Sequence, residues 1–270
     1  MKKDKYINVA FYVVIVLILV VFMVFIIGKL ISSKNIDNQD GDGKLLQKID
    51  DNKDYVYDAL YNFDVDKDSY FVYDNTKEIK ASDIVVPYIN IISKDVKRIN
   101  IELHKLYEEL INQYNKNLIE GISYTLVEYE SYINNNILSV VVWTERAGTS
   151  LPIYQYYTYN IDLNTGNLLG YDDVLSKIDL NRDSALELVG NVLSDYIHNI
   201  CGNEYCNSGN FTYEMFYNLS RTMYLDKVTE GSLNYFLKDN QLYVVLNPQF
   251  PAQSSGFDKL FNINSGEEIR

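Results

Sequence analysis

The sequence predicts an α+β protein: an antiparallel sheet with packed helices, preceded by one amino-terminal transmembrane helix. Three observations carry that expectation. Val9–Ile27 is an uninterrupted apolar run. Ile92, Val96, Ile99, Leu103, Leu106 and Leu110 recur at steps of four and three, which places them on one helix face. Strand-like runs elsewhere are punctuated by Asn, Asp and Gly, the residues that tolerate left-handed turns. The pattern of strands, helix, strands, helices, strands fits helices layered on an antiparallel sheet.

The apolar run reads VAFYVVIVLILVVFMVFII, without charge or proline. At about 1.5 Å per residue it covers ~28 Å, close to the ~30 Å hydrocarbon core of a bilayer. A cleaved signal peptide usually has a shorter apolar stretch and a small-residue cleavage site, so an uncleaved anchor is expected. Lys2, Lys3 and Lys5 precede the span, and Lys29 and Lys34 follow it. The excess at the amino end places the N-terminus inside and the carboxyl-terminal domain outside the cell membrane, single-pass. The expected organisation is therefore residues 1–34 as short tail and anchor and 35–50 as a flexible acidic tether. An extracytoplasmic α+β domain then fills 51–270. The tether contains NIDNQDGDG, Asn35–Gly43.

Within that domain, short strands are expected at Tyr55–Ala59 and Asp68–Tyr73. An apolar strand follows at Asp83–Ile92, with Pro87 marking an edge or bulge. Ser93 opens the amphipathic helix, Ser93–Leu118, as its N-cap. Tyr124–Ile133 and Ile137–Thr144 flank Asn134-Asn135-Asn136, a hairpin signal. Tyr154–Leu163 is the next strand, turned by Asn164-Thr165-Gly166. Helices are expected at Arg182–Ile200 and Tyr213–Val228. Strands close the chain at Leu233–Leu237, Gln241–Leu246 and Phe257–Ile263, with a turn at Lys238-Asp239-Asn240. No internal repeat is visible along the row.

Composition narrows the function classes. The chain of 270 residues carries 24 basic and 37 acidic side chains, a net of −13. Residues 1–34 hold five Lys and one Asp, so the remainder keeps 19 basic against 36 acidic residues, a net of −17. Such a domain is repelled by nucleic acid and suits a basic partner. Two His, at 104 and 198, leave no multi-histidine metal site, and no cofactor is expected. Asp64, Asp66 and Asp68 copy the start of a calcium loop, but Ser69 and Asn75 stand where Gly and Glu are needed, so a solvated acidic turn is the better reading. No nucleophile-elbow, zincin or phosphate-loop pattern occurs, and no enzyme is predicted. Cys201 and Cys206, with four residues between them, are expected to form a structural disulfide outside the membrane. The chain has 25 tyrosines. Strand geometry sends Tyr154 and Tyr156 to one face and Tyr157, Tyr159 and Ile161 to the other. The second set suits a core. The first set, with Trp143 and Arg146, is the candidate ligand-binding surface.

Tyr157–Leu175, YTYNIDLNTGNLLGYDDVL, resembles a signature of the extracellular domain of RsiV-type, lysozyme-sensing anti-sigma factors, also found in the non-catalytic region of PdaC-type wall deacetylases. Tyr159, Asn160, Asp162, Thr165, Gly166, Leu169 and Asp173 carry the match. VVPYINIISKDVKRIN (Val85–Asn100) and LKDNQLYVVLNPQF (Leu237–Phe250) resemble the flanking parts of the same domain, and the second half from about residue 121 resembles its carboxyl-terminal portion. The resemblance implies a sensor-like module that recognises a cell-envelope ligand or a basic protein such as lysozyme. Two features depart from it. AGTSLPIY (Ala147–Tyr154) lacks the usual His, and the eight residues before the span are too few for a sigma-binding domain. The alternative is a structural or accessory subunit of a membrane complex with no ligand of its own.

Overall fold

The computed structural model describes residues 55–59, 61, 68–73, 77–120, 123–148, 153–205, 212–249 and 258–269. The chain divides into two compact units, Met1–Leu45 and Leu46–Arg270, and all described residues belong to the second. The expected anchor, Val9–Ile27, and the acidic tether lie outside the described residues. Among the described residues no helix is long and apolar enough to cross a membrane.

The second unit is α+β with antiparallel sheets. β1 (Val56–Asp58) pairs with β4 (Pro87–Ile89), and β2 (Tyr70–Tyr73) with β3 (Lys77–Lys80). α1 (Lys94–Glu120) follows. β5 (Tyr124–Asn134), β6 (Ile137–Ala147) and β7 (Ile153–Asp162) form one meander. Then come α2 (Tyr171–Ser176), α3 (Arg182–Tyr205) and α4 (Tyr213–Glu230). β8 (Tyr235–Lys238), β9 (Gln241–Leu246) and β10 (Lys259–Asn262) form a second meander. The expected strand at Asp83–Ile92 is reduced to β4, because Ala81–Asp83 winds into a 3-10 turn that Lys80 and Asp83 close.

α1 begins as its sequence dictates. The Ser93 hydroxyl accepts the Val96 amide at 3.0 Å, the expected N-cap. Val96, Ile99, Leu103, Leu106 and Leu110 are buried along one face, joined by Tyr107, Ile111 and Tyr114. Ile92 belongs to no face; it precedes the helix and is fully exposed. Asn100 grips both backbone groups of Ile89 at 2.9 Å, which ties β4 to the helix.

The strands of the first meander alternate between two faces; β6 is buried on both from Ile137 to Thr144, while β5 is exposed along much of its length. Tyr159 is buried and Tyr157 half-buried on the face that looks toward Glu102 and Glu109 of α1. Trp143 and Tyr156 face the other way, toward Phe236, Tyr243, Val245 and Leu260 of the second meander. The opposite face of the second meander, including Leu237, Leu242, Val244 and Phe261, packs on Val189 and Leu193 of α3.

The two meanders form an internal repeat that the linear sequence hides. Each begins with a two-residue hairpin in left-handed conformation, Asn135-Asn136 and Asp239-Asn240. Each ends in the same turn, Asp162-Leu163-Asn164-Thr165-Gly166 and Asn262-Ile263-Asn264-Ser265-Gly266. In both, the first side chain accepts the amides two and three residues on. In both, the glycine amide returns to the first carbonyl, at 2.7 Å and 2.9 Å. The copies share too few identical residues to register as a pattern; polarity and turn chemistry are what they hold in common.

The repeat supplies an internal control. Both glycines have φ near +75°. A Cβ on Gly166 would meet Ser93 Cβ at 2.7 Å, whereas one on Gly266 meets nothing. Gly266→Ala is expected to cost about 1 kcal/mol from backbone conformation alone, a few degrees in Tm. Gly166→Ala is expected to cost at least twice that, because α1 must also move off the turn. Equal losses on thermal melting would show that α1 is not seated on this turn.

Candidate functional site

β8 is an edge strand, and the first sheet closes its edge with side chains. Ser139 Oγ accepts the Leu237 amide at 3.1 Å, and Asn134 Nδ2 donates to the Leu237 carbonyl at 3.1 Å. Thr158 Oγ1 accepts the Tyr235 amide at 3.0 Å, and Asn160 Nδ2 donates to the Tyr235 carbonyl at 2.8 Å. Ser139 in turn donates to Asn160 Oδ1 at 2.7 Å. These side chains come from β5, β6 and β7, so β8 crosses all three strands. The crossing leaves a recess on either side.

On one side lies an aromatic cleft of about 100 Å³. Tyr132 stacks on Phe236 at 5.7 Å, and Phe236 stacks on Tyr243 at 5.0 Å. The Lys238 ammonium sits 4.8 Å from the centre of the Tyr132 ring, and the Tyr132 hydroxyl donates to Glu130. The two-residue turn at Asn135-Asn136 fixes the register. It sets Glu128 opposite Trp143 and Glu130 opposite Val141, on the same face of the sheet. β7 adds Tyr154 opposite Glu145, whose carboxylate accepts the Tyr124 hydroxyl at 2.8 Å. The cleft is lined by Glu130, Lys238 and several aromatic rings, and Glu128 and Glu145 lie on the same face of the sheet beside it. Carboxylates beside aromatic faces favour a cation: each carboxylate supplies charge and each ring its quadrupole.

The sequence-predicted site residues fall as follows. Trp143 and Tyr156 come together, but both are buried, at 6% and 3% exposure, as the cleft's floor rather than an open surface. Tyr154 is half-buried at its rim. Arg146 is exposed on β6, but its position in the strand sends it to the other face, paired with Ile153. The three glutamates and Tyr132 were missed, although the hairpin turn carried the register that finds them. Phe236, Tyr243 and Lys238 come from the second meander, and no local signal links them to Trp143.

Other candidates resolve into structural roles or lie outside the described residues. Cys201 occupies the last turns of α3; Cys206 and the side chain of Cys201 are outside the described residues, as are Asp64 and Asp66. His104 stacks on Tyr61 at 4.4 Å, and the His198 ring meets the Ser194 carbonyl at 3.1 Å; they stand on different helices. Asp172 forms a two-bond pair with Arg182, at 2.6 Å and 2.8 Å, and that partner holds its carboxyl below the usual range. Asp173 accepts the Gly170 amide at 3.1 Å and opens α2. Among the described residues no cluster of His, Cys, Asp or Glu is arranged to hold a metal.

On the other side of β8 lies a larger cavity, of about 320 Å³. Burial pushes the hydroxyls of Tyr171 and Tyr235 well above the ordinary tyrosine value, and the neighbouring Tyr224 and Asp173 respectively add to the rise.

Compared with known proteins, the chain matches no family model, no curated protein and no solved structure.

The tyrosine shifts give a pH dependence. Tyr129, Tyr159, Tyr171 and Tyr235 are all raised in the folded chain by burial, above an unfolded value of 10.0. Above pH 10 the unfolded chain therefore binds fewer protons than the folded one, and stability falls as pH rises. Alkaline titration is expected to show a late phase of phenolate absorbance rising together with loss of far-ultraviolet ellipticity. Ionisation of these hydroxyls well before the ellipticity changes would contradict their burial.

Proposed function

We propose that the protein is a single-pass, membrane-anchored module whose extracytoplasmic α+β domain binds without catalysis, recognising a cell-envelope ligand or a basic protein such as lysozyme. The observation that carries the reading is the convergence of Glu128, Glu130 and Glu145 with Tyr132, Trp143 and Tyr154 on one side of the first sheet. A lysine or arginine entering there meets carboxylates and aromatic faces together. The aromatic groups supply contact area at small cost in side-chain freedom. The apolar run Val9–Ile27, flanked by lysines, supports the anchor, and the net of −17 after residue 34 supports attraction of a cationic partner. The resemblance of Tyr157–Leu175 to lysozyme-sensing domains points the same way.

Long-range attraction and specific recognition separate by salt. Titration calorimetry of residues 46–270 with lysozyme is expected to show saturable one-to-one binding that survives about 1 M salt, where the Debye length is about 3 Å. Glu128→Lys, on an exposed strand position, is expected to weaken that binding at least tenfold, about 1.4 kcal/mol. Heat that vanishes with salt, or unchanged affinity in Glu128→Lys, would remove lysozyme and this face from the account.

A further inference from the structure

We propose that the 320 Å³ cavity beside β8 is a binding site for one neutral sugar ring. It shares no lining residue with the aromatic cleft and stands independently of the lysozyme reading. Its volume lies at the lower end of the range for small-molecule sites, about 300–1,000 Å³, which suits a single ring rather than a chain.

The lining excludes charge. Every residue in it is Thr, Asn, Tyr, Leu, Val or Gly. The nearest carboxylates are already engaged, Asp172 by Arg182 and Asp173 by the Gly170 amide. A cation would gain little from them, and the Arg182 guanidinium, which acts on Tyr171, is already held by Asp172, so an anion gains little too. Burial also keeps the Tyr171 and Tyr235 hydroxyls protonated at any physiological pH.

Within that neutral lining the two kinds of wall differ. Leu168, Leu169, Val228 and Leu233 present hydrocarbon, while Tyr171 and Tyr235 carry hydroxyls; the Thr158 and Asn160 side chains, also in the lining, are committed to β8. A pyranose has the same division, with an apolar face of C–H bonds and a rim of hydroxyls. The two hydroxyls keep hydrogen-bonding capacity. The Tyr171 and Tyr224 hydroxyls are 3.0 Å apart, and whichever donates, the Tyr171 oxygen keeps a lone pair to accept from a ligand hydroxyl. The Tyr235 hydroxyl donates to the Leu169 carbonyl at 3.2 Å and retains its lone pairs. The strand edge contributes as well. The Leu169 amide bonds the Asn160 carbonyl at 2.7 Å, so the outer backbone groups of β7 are covered there. Two residues earlier on the same edge, Thr158 lines the cavity with no strand beside it among the described residues.

The test uses the full chain in a detergent without a sugar headgroup, and saturation-transfer NMR. Glucose and N-acetylglucosamine are the neutral probes; glucosamine and glucuronate are the same ring carrying a charge. Transfer to a neutral ring is expected at a Kd on the order of 1 mM, with at least tenfold weaker binding of both charged analogues. Tyr171→Phe, which removes only the hydroxyl, is expected to weaken binding about tenfold, and Val228→Trp, which fills the cavity, to abolish it. No transfer to either neutral sugar in the folded wild type would overturn the proposal. So would charged rings binding as well as neutral ones, or full binding in Tyr171→Phe, a variant that keeps the ring and its packing.

Discussion

The outer edge of β8 sets the rest of the domain. An edge strand buried inside a protein exposes backbone groups that neither water nor another strand can reach, and each such group costs about 1–3 kcal/mol if left unmade. Here the Tyr235 and Leu237 amides and carbonyls are met by Thr158, Asn160, Ser139 and Asn134, residues that would look misplaced on a buried sheet face. Ser139 and Asn160 are almost wholly inaccessible to solvent, so their polarity has meaning only as partners of β8. The chain has put a short polar row across the buried part of the sheet to accept another strand's edge.

Function follows from that crossing. A second sheet stacked flat on the first would seal both faces. A sheet entering by its edge leaves a wedge on each side. One wedge fills with Trp143, Tyr156, Phe236 and Tyr243 and has Glu130 in its wall. The other is bounded by the turn after β7, the start of α2 and the end of α4. The two wedges differ in chemistry because they are lined by opposite faces of the second sheet. One side is acidic and aromatic, the other neutral and divided between hydrocarbon and hydroxyl.

Much of this was legible in the sequence wherever local physics decides. Ser93 announced α1, the asparagines after Ile133 announced a hairpin, and the starts of α3 and α4 and both ends of β9 follow from periodicity and turn residues, while α3 runs five residues beyond its expected end. Tyr159 and Ile161 of the tyrosine strand lie in the core as expected, but Tyr156, expected on an open face, is buried as well. What stayed hidden depends on contacts between distant segments. Trp143 read as a surface group because nothing near it in sequence says that Phe236 will cover it. Ser139 looked unremarkable, and Asn160 stood out only as part of a resemblance, because their partners lie 98 and 75 residues away. The repeat escaped notice because its two copies conserve turn geometry rather than residue identity.

Native-state hydrogen exchange at β8 tests the crossing most directly. The Tyr235 and Leu237 amides bond only to side chains of the first sheet. If those bonds hold the two sheets together, both amides exchange only through global unfolding, as slowly as the amide of Val244 in the central strand. Exchange of Tyr235 and Leu237 orders of magnitude faster than Val244 would mean that β8 is an open edge, and that neither recess is a fixed feature of the fold.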